Sequence, residues 1–205
     1  MLNKEQVINM VNNMLIMFKN ANAKDREKQK SRLYNNRGKG NGEWGYIINF
    51  HFGEVAAYML ENDFKTIIDL GAGVGHGIEI LNLIGLEARG YENEDELIME
   101  NAKFFGKKLT LLGGDESLTI RKKDIMSLTT NDIKEFEVIY FWQPFKDEIL
   151  LNKFLINLFE IISPNQTILF KKDNDSYYRK GNGNYLQQFT DTKIERYGTL
   201  EVFKK

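Results

Sequence analysis

The stretch best equipped for chemistry is Thr66-Ile67-Ile68-Asp69-Leu70-Gly71-Ala72-Gly73-Val74-Gly75. An apolar, strand-like run leads straight into an acid. Three glycines then alternate with small residues ahead of a helix-like segment. Gly71 permits a sharp strand-to-helix turn, Gly73 removes a Cβ that would hold a ligand off the backbone, and Gly75 allows close helix packing. The start of the following helix offers unpaired N–H groups. A second strand-like segment, Ala88-Arg89-Gly90-Tyr91, ends in Glu92, 21 residues after Gly71. An acid there is placed to take both hydroxyls of a ribose. Asp69, Gly71, Ala72, Gly73, Gly75 and Glu92 are therefore the expected nucleoside-binding residues.

Glycine spacing separates two ligand classes. Dinucleotide binders usually read G-x-G-x-x-G, and their helix faces a pyrophosphate. This loop reads Asp-x-Gly-x-Gly-x-Gly, with a carboxylate inside it. Asp69 repels a pyrophosphate but suits a cationic ligand bearing an amino group, and S-adenosylmethionine carries both a sulfonium and an α-amino group. The segment from about Tyr46 to Phe203 resembles a class I S-adenosylmethionine-dependent methyltransferase. Asp69 to Gly75 matches the first motif of that family and Gly90-Tyr91-Glu92 the second. The resemblance implies that S-adenosylmethionine is the cofactor, that Glu92 holds its ribose, and that Asp124, followed by Ile125, meets the adenine amino group. A helix N-cap is the other reading of Asp124. Asp-Leu-Gly-x-Gly-Val-Gly is also similar to the non-SET histone-lysine methyltransferases over seven residues, which is a hint about substrate only.

Acceptor chemistry is expected after the fourth strand, at Tyr140-Phe141-Trp142-Gln143-Pro144-Phe145. Family members that methylate amide or exocyclic base nitrogens often carry Asn/Asp-Pro-Pro-Tyr or Phe there. Gln143-Pro144-Phe145 departs from that pattern, which counts against such acceptors. Tyr140, Trp142 and Gln143 are pocket candidates, the two aromatics reading equally well as strand core. Tyr46, in Glu43-Trp44-Gly45-Tyr46, is a candidate lid residue or a clamp on the first helix. The loop Tyr177 to Tyr185 lies where acceptor specificity is commonly shaped in the family. Methyl transfer is an in-line displacement that positioning alone accelerates strongly, so no catalytic triad is required. His51 and His76 lack metal-ligand spacing, and His76 reads as a surface residue at a helix start. No metal is expected.

The elements that must position these residues alternate. Strands at Thr66–Leu70, Ala88–Tyr91, Leu118–Arg121, Val138–Trp142 and Thr167–Lys171 are separated by helices at Gly77–Ile84, Asp95 to about Phe105 and Ile149–Ile161, and a helix over Phe52–Leu60 precedes them. Such alternation implies a mainly parallel sheet. Ile194–Tyr197 and Leu200–Phe203 flank Gly198-Thr199 and predict a terminal hairpin. The expected architecture is α/β: a Rossmann-like, mostly parallel seven-stranded sheet with helices on both faces, a C-terminal antiparallel hairpin and an N-terminal helical extension. In that extension Val7, Val11, Met14, Leu15 and Phe18 fall on one face of a helix over residues 3 to 19. The glycine cluster Gly38 to Gly42 places a boundary near residue 40, dividing a helix and basic linker (1–40) from the catalytic domain (41–205).

Composition sets the outer limits. Hydrophobic residues at 42% supply a core, and a net charge of −1 argues against a uniformly basic nucleic-acid binder. Residues 19 to 39 hold eight basic and two acidic side chains, +6 on a chain whose remainder holds −7. They form a solvated linker or an arm that touches an anionic acceptor, so a nucleic-acid partner stays open without being favoured. The absence of cysteine excludes disulfides, thiolate metal sites and a cysteine nucleophile. No apolar run is long enough to span a bilayer, and no signal-peptide pattern opens the chain, so a cytoplasmic protein without a membrane partner is expected. The functional expectation is an S-adenosylmethionine-dependent methyltransferase acting on a protein side chain or a small molecule, with RNA possible. A catalytically silent binding module is the alternative. A nicotinamide oxidoreductase is disfavoured because no Tyr-x-x-x-Lys pair is found.

Overall fold

The computed structural model describes residues 2–21, 51–102, 119–145, 147–172 and 185–205. Its elements in chain order are α1 (Lys4–Ala21), α2 (Phe52–Glu61), β1 (Thr66–Leu70), α3 (His76–Leu83), β2 (Glu87–Glu92), α4 (Asp95–Asn101), β3 (Ile120–Lys122), α5 (Thr130–Ile133), β4 (Val138–Trp142), α6 (Glu148–Ile161), β5 (Thr167–Lys171), β6 (Glu195–Tyr197) and β7 (Leu200–Lys204). Two 3-10 turns, Ile125–Ser127 and Tyr185–Phe189, were not foreseen, and neither was the one-turn α5. Each is too short to show a periodic pattern.

All seven strands join one sheet in the order β3-β2-β1-β4-β5-β7-β6. The first five are parallel, β7 runs antiparallel to β5, and β6 pairs antiparallel with β7. The fold is thus the α/β architecture expected, with its terminal hairpin in place. Parallel strands covered on both faces need apolar residues at successive positions. Val138, Ile139, Tyr140 and Phe141 meet that requirement, all buried.

Alternate residues feed two cores. Ile67, Val138, Tyr140 and Leu169 face α1, α2 and α3, while Ile68, Ile139, Phe141 and Phe170 face α6 and the two 3-10 turns. Val7, Val11 and Leu15 of α1 are buried in the first core, as the helical spacing predicted; the Phe18 side chain lies outside the described part. The Gly38–Gly42 boundary also lies outside the described residues.

Gly53 lets α1 and α2 approach closely. A Cβ there would stand 3.1 Å from the Ile8 carbonyl oxygen and 3.0 Å from Asn12 Oδ1. Replacing Gly53 by leucine is expected to force the helices apart and cost about 1–3 kcal/mol. Urea unfolding measures it, and an unchanged midpoint would show that the contact is slack.

Candidate functional site

The strand order turns back between β1 and β4, and the carboxyl ends of all five parallel strands share one edge. A crevice opens at such a reversal, the usual place for a ligand in an open α/β sheet. The edge collects the glycine loop after β1, Glu92 at the end of β2, Asp124 after β3, and Gln143-Pro144 after β4.

Gly71, Gly73 and Gly75 all have positive φ, at 88°, 59° and 72°. Side-chain-bearing residues rarely adopt that region, so the alternation of glycines is a backbone requirement. The Gly71 and Ala72 N–H groups both donate to the Tyr91 carbonyl, at 2.9 and 3.0 Å. Gly75 packs as its spacing predicted, since a Cβ there would meet Ile120 Cδ1 at 2.3 Å. Beneath the loop, Asn101 Nδ2 donates to the Val74 carbonyl at 2.9 Å and the Thr119 hydroxyl donates to Glu79 Oε1. Glu79 is buried in α3, and that burial raises its pKa against the pull of the Thr119 and Asn101 hydrogen bonds.

Glu92 clasps the loop. Its Oε2 accepts the Gly73 N–H at 2.9 Å, and its Oε1 accepts those of Asn93 and Glu94 at 2.8 and 3.0 Å. A carboxylate offers about four acceptor positions, so three backbone donors leave about one. Sequence reasoning allotted Glu92 to the ligand alone. In the structure it supports the loop.

Asp69, in β1 beside Glu92, is only 6% exposed, and among the described residues no hydrogen bond reaches its carboxylate. Burial, and then the Glu92 charge, pushes its pKa well above the usual carboxylate range. A buried acid without a partner is costly when ionised.

Asp124 is exposed and caps the turn Ile125–Ser127 by accepting the Met126 N–H at 2.9 Å. The N-cap reading is therefore realised, and the Lys123 N–H bond to the Glu92 carbonyl brings Asp124 beside the end of β2. Ile125 is buried just below. Tyr140 is fully buried with its ring edge-on to Phe52 at 5.0 Å, so it is a core residue with no surface for an acceptor. Trp142 and Gln143 are half-buried at the edge. Gln143 has φ of 25°, uncommon for a non-glycine residue, and donates its N–H to the Lys171 carbonyl at 3.0 Å. Pro144 lies against the glycine loop, 3.3 Å from where a Gly71 Cβ would stand. His76 is buried, not at the surface as expected. Tyr46, the Trp44 segment, residues 22–39 of the basic stretch and Tyr177 to Asn184 lie outside the described residues.

Sequence reasoning missed a second cluster on this edge. His51, at the N-terminus of α2, meets Trp142 ring to ring at 5.9 Å and Thr199 Oγ1 at 3.1 Å through Nδ1. Glu54 accepts the Thr199 N–H and hydroxyl through Oε2. His51 and Thr199 are 148 residues apart, so no local motif joins them. The only sequence signal was the Gly198-Thr199 turn.

The raised Asp69 pKa has a stability consequence. The folded state keeps a proton that the unfolded chain releases, so this contribution is present at low pH and is lost as pH rises through the folded-state value. Asp69→Asn is expected to remove that pH dependence and to raise the ligand-free Tm at neutral pH by roughly 2–4 °C, about 1 kcal/mol in a chain of this size. Thermal melts from pH 4 to 8 test it, and a lower Tm at neutral pH would mean that the carboxylate is stabilising.

No protein-family model and no curated protein sequence matches the chain. Solved structures do. An S-adenosylmethionine-dependent methyltransferase from Clostridium acetobutylicum is 16% identical, with a TM-score of 0.48 over 77% of this chain and 60% of that one. An amino pentose methyltransferase of calicheamicin biosynthesis from Micromonospora echinaspora, solved with S-adenosylmethionine bound, is 13% identical, with a TM-score of 0.45 over 72% and 57%. A glycopeptide N-methyltransferase in complex with S-adenosylmethionine is 13% identical, with a TM-score of 0.42 over 57% and 52%. The chain spans about half to three-fifths of the length of these solved proteins. Its strand order and terminal antiparallel pair make it the Rossmann-like α/β fold expected from the sequence.

Proposed function

We propose that the chain binds S-adenosylmethionine at the glycine loop and transfers its methyl group to a protein side chain or a small molecule. The carrying observation is the pair Asp69 and Glu92: a buried carboxylate without a hydrogen-bond partner among the described residues, next to a second carboxylate, under a loop of three left-handed glycines. Two adjacent acids repel a pyrophosphate and favour a ligand bearing positive charge, so the electrostatics of the edge suit the methyl donor better than a dinucleotide.

The residues fit the cofactor in kind. Asp69 offers an unsatisfied acceptor to an ammonium, Glu92 retains about one acceptor position for a ribose hydroxyl, and Asp124 and Ile125 flank the place for an adenine. When bound, S-adenosylmethionine supplies a methyl group activated by its positive sulfur. The protein's share is to hold the acceptor in line with that group, for which Trp142 and Gln143 stand at the adjacent strand end. In this reading Tyr46 and the basic stretch 19–39 act on the acceptor side and leave cofactor affinity unchanged.

S-adenosylmethionine and S-adenosylhomocysteine are expected to bind, and NAD to bind much more weakly. Glu92→Ala should weaken S-adenosylhomocysteine binding by about 1.5–3 kcal/mol. It should also lower the ligand-free Tm, because three backbone N–H groups lose their acceptor. Isothermal titration and thermal melts provide both readings. Tight NAD binding without detectable S-adenosylhomocysteine binding, or a Glu92→Ala variant that binds as the parent does, overturns the assignment.

A further inference from the structure

We propose that Glu54, Thr199 and His51 form a relay that holds the His51 imidazole as its Nδ1–H tautomer, so that Nε2 is the base that takes a proton from an O–H or N–H methyl acceptor. The proposal rests on the methyltransferase reading above and adds to it an acceptor class, a protic nucleophile.

The tautomer follows from counting donors. A carboxylate only accepts, and a threonine hydroxyl has one hydrogen to give. Glu54 Oε2 takes that hydrogen at 2.5 Å and also accepts the Thr199 backbone N–H at 3.0 Å. The 3.1 Å contact between Thr199 Oγ1 and His51 Nδ1 then requires the imidazole to donate. A neutral ring that donates from Nδ1 carries its lone pair on Nε2, on the opposite side of the ring.

The turn is built to hold this arrangement. Gly198 has φ of 60°, a conformation that favours glycine, and its missing Cβ leaves room for the Glu54 carboxylate, whose Oε1 would lie 2.5 Å from it. Tyr197, next in the turn, donates its hydroxyl to Glu61 at 2.7 Å and fastens the hairpin to the other end of α2. Pro144 touches the glycine loop, Trp142 ends the strand before it, and His51 packs edge-on against Trp142. The base therefore stands on the ligand edge, beyond β4 from the glycine loop, and His51 is half-buried.

The surroundings keep the ring neutral. Burial and then the Lys171 ammonium at the end of β5 lower the His51 pKa, and the opposing pull of Glu54 is smaller. The positive end of α2 acts in the same direction as Lys171. The charge balance of the step is simple. As the acceptor's oxygen or nitrogen bonds to the methyl carbon, the methyl–sulfur bond breaks with its electron pair left on sulfur. The proton that the acceptor sheds goes to Nε2, and the imidazolium returns it to water.

Long-range 1H–15N correlation on the labelled full chain reads the tautomer, and with two histidines His76→Gln assigns the signals. The parent is expected to show Nδ1–H with an unprotonated Nε2 at pH 7.5 and a midpoint below that of an ordinary histidine. Thr199→Val should shift the ring toward the Nε2–H form, and Thr199→Ser should restore the parent pattern. Diethyl pyrocarbonate, followed by mass spectrometry, should modify His51, showing that its nitrogen can be reached. An Nε2–H parent, a tautomer indifferent to Thr199→Val, or an unreactive His51 overturns the proposal. S-adenosylhomocysteine titrated into the same samples separates the two readings: its affinity should stay within about twofold in every Thr199 variant. If it binds while the tautomer is wrong, the base alone is lost. If it fails to bind a correctly tautomeric parent, the cofactor assignment is lost and His51 has no methyl transfer to serve.

Discussion

The carboxylate of Glu92 accepts N–H groups from both sides of a gap, Gly73 on the loop after β1 and Asn93 and Glu94 on the turn after β2. Charge-assisted bonds of this kind are stronger than neutral ones, and here they join two connections that the sheet does not itself link. The Tyr91 carbonyl reinforces the same seam by accepting the Gly71 and Ala72 N–H groups. The shape of the glycine loop, the seat of Asp69 beneath it and the contact of Gly71 with Pro144 all follow from that clasp.

Close packing around the loop explains why small residues recur near it. A Cβ on Gly90 would lie 2.6 Å from Ala72 Cβ, and one on Gly77 would lie 2.2 Å from the Phe52 ring. The loop is thus pressed against β2, and α3 against α2, with no slack for added atoms. Phe52 also meets Tyr140, so α2 reaches the centre of the sheet while its N-cap His51 and its first-turn Glu54 stand at the carboxyl edge of the parallel strands. One helix therefore serves both the core and the second cluster.

Much of this was legible in the sequence, for identifiable reasons. Thr66–Leu70, Val138–Trp142 and Thr167–Lys171 are buried parallel strands whose apolar runs are bounded by polar or glycine residues, and their limits agree with the structure. The glycine loop was readable because its turn needs positive φ at three positions, and φ constrains residue type. Tyr140 was ambiguous because an aromatic in a strand looks the same whether it faces a core or a cleft, and only the placement of Phe52 decides it. His76 was misjudged because helix starts are usually exposed, whereas this one is buried. The loop-supporting role of Glu92 depends on backbone donors that no residue type announces. The His51 cluster depends on β7 returning antiparallel beside β5, a contact between distant parts of the chain.

The central claim is that this edge holds an adenosine-containing cation through Glu92 and Asp69. A crystal structure of the chain with S-adenosylhomocysteine tests it most directly. The account predicts a ribose hydroxyl within hydrogen-bond distance of Glu92, the amino group at Asp69 and the adenine beside Asp124 and Ile125. A ligand seated elsewhere, with Asp69 still unpartnered and Glu92 bonded only to its three backbone N–H groups, would contradict it.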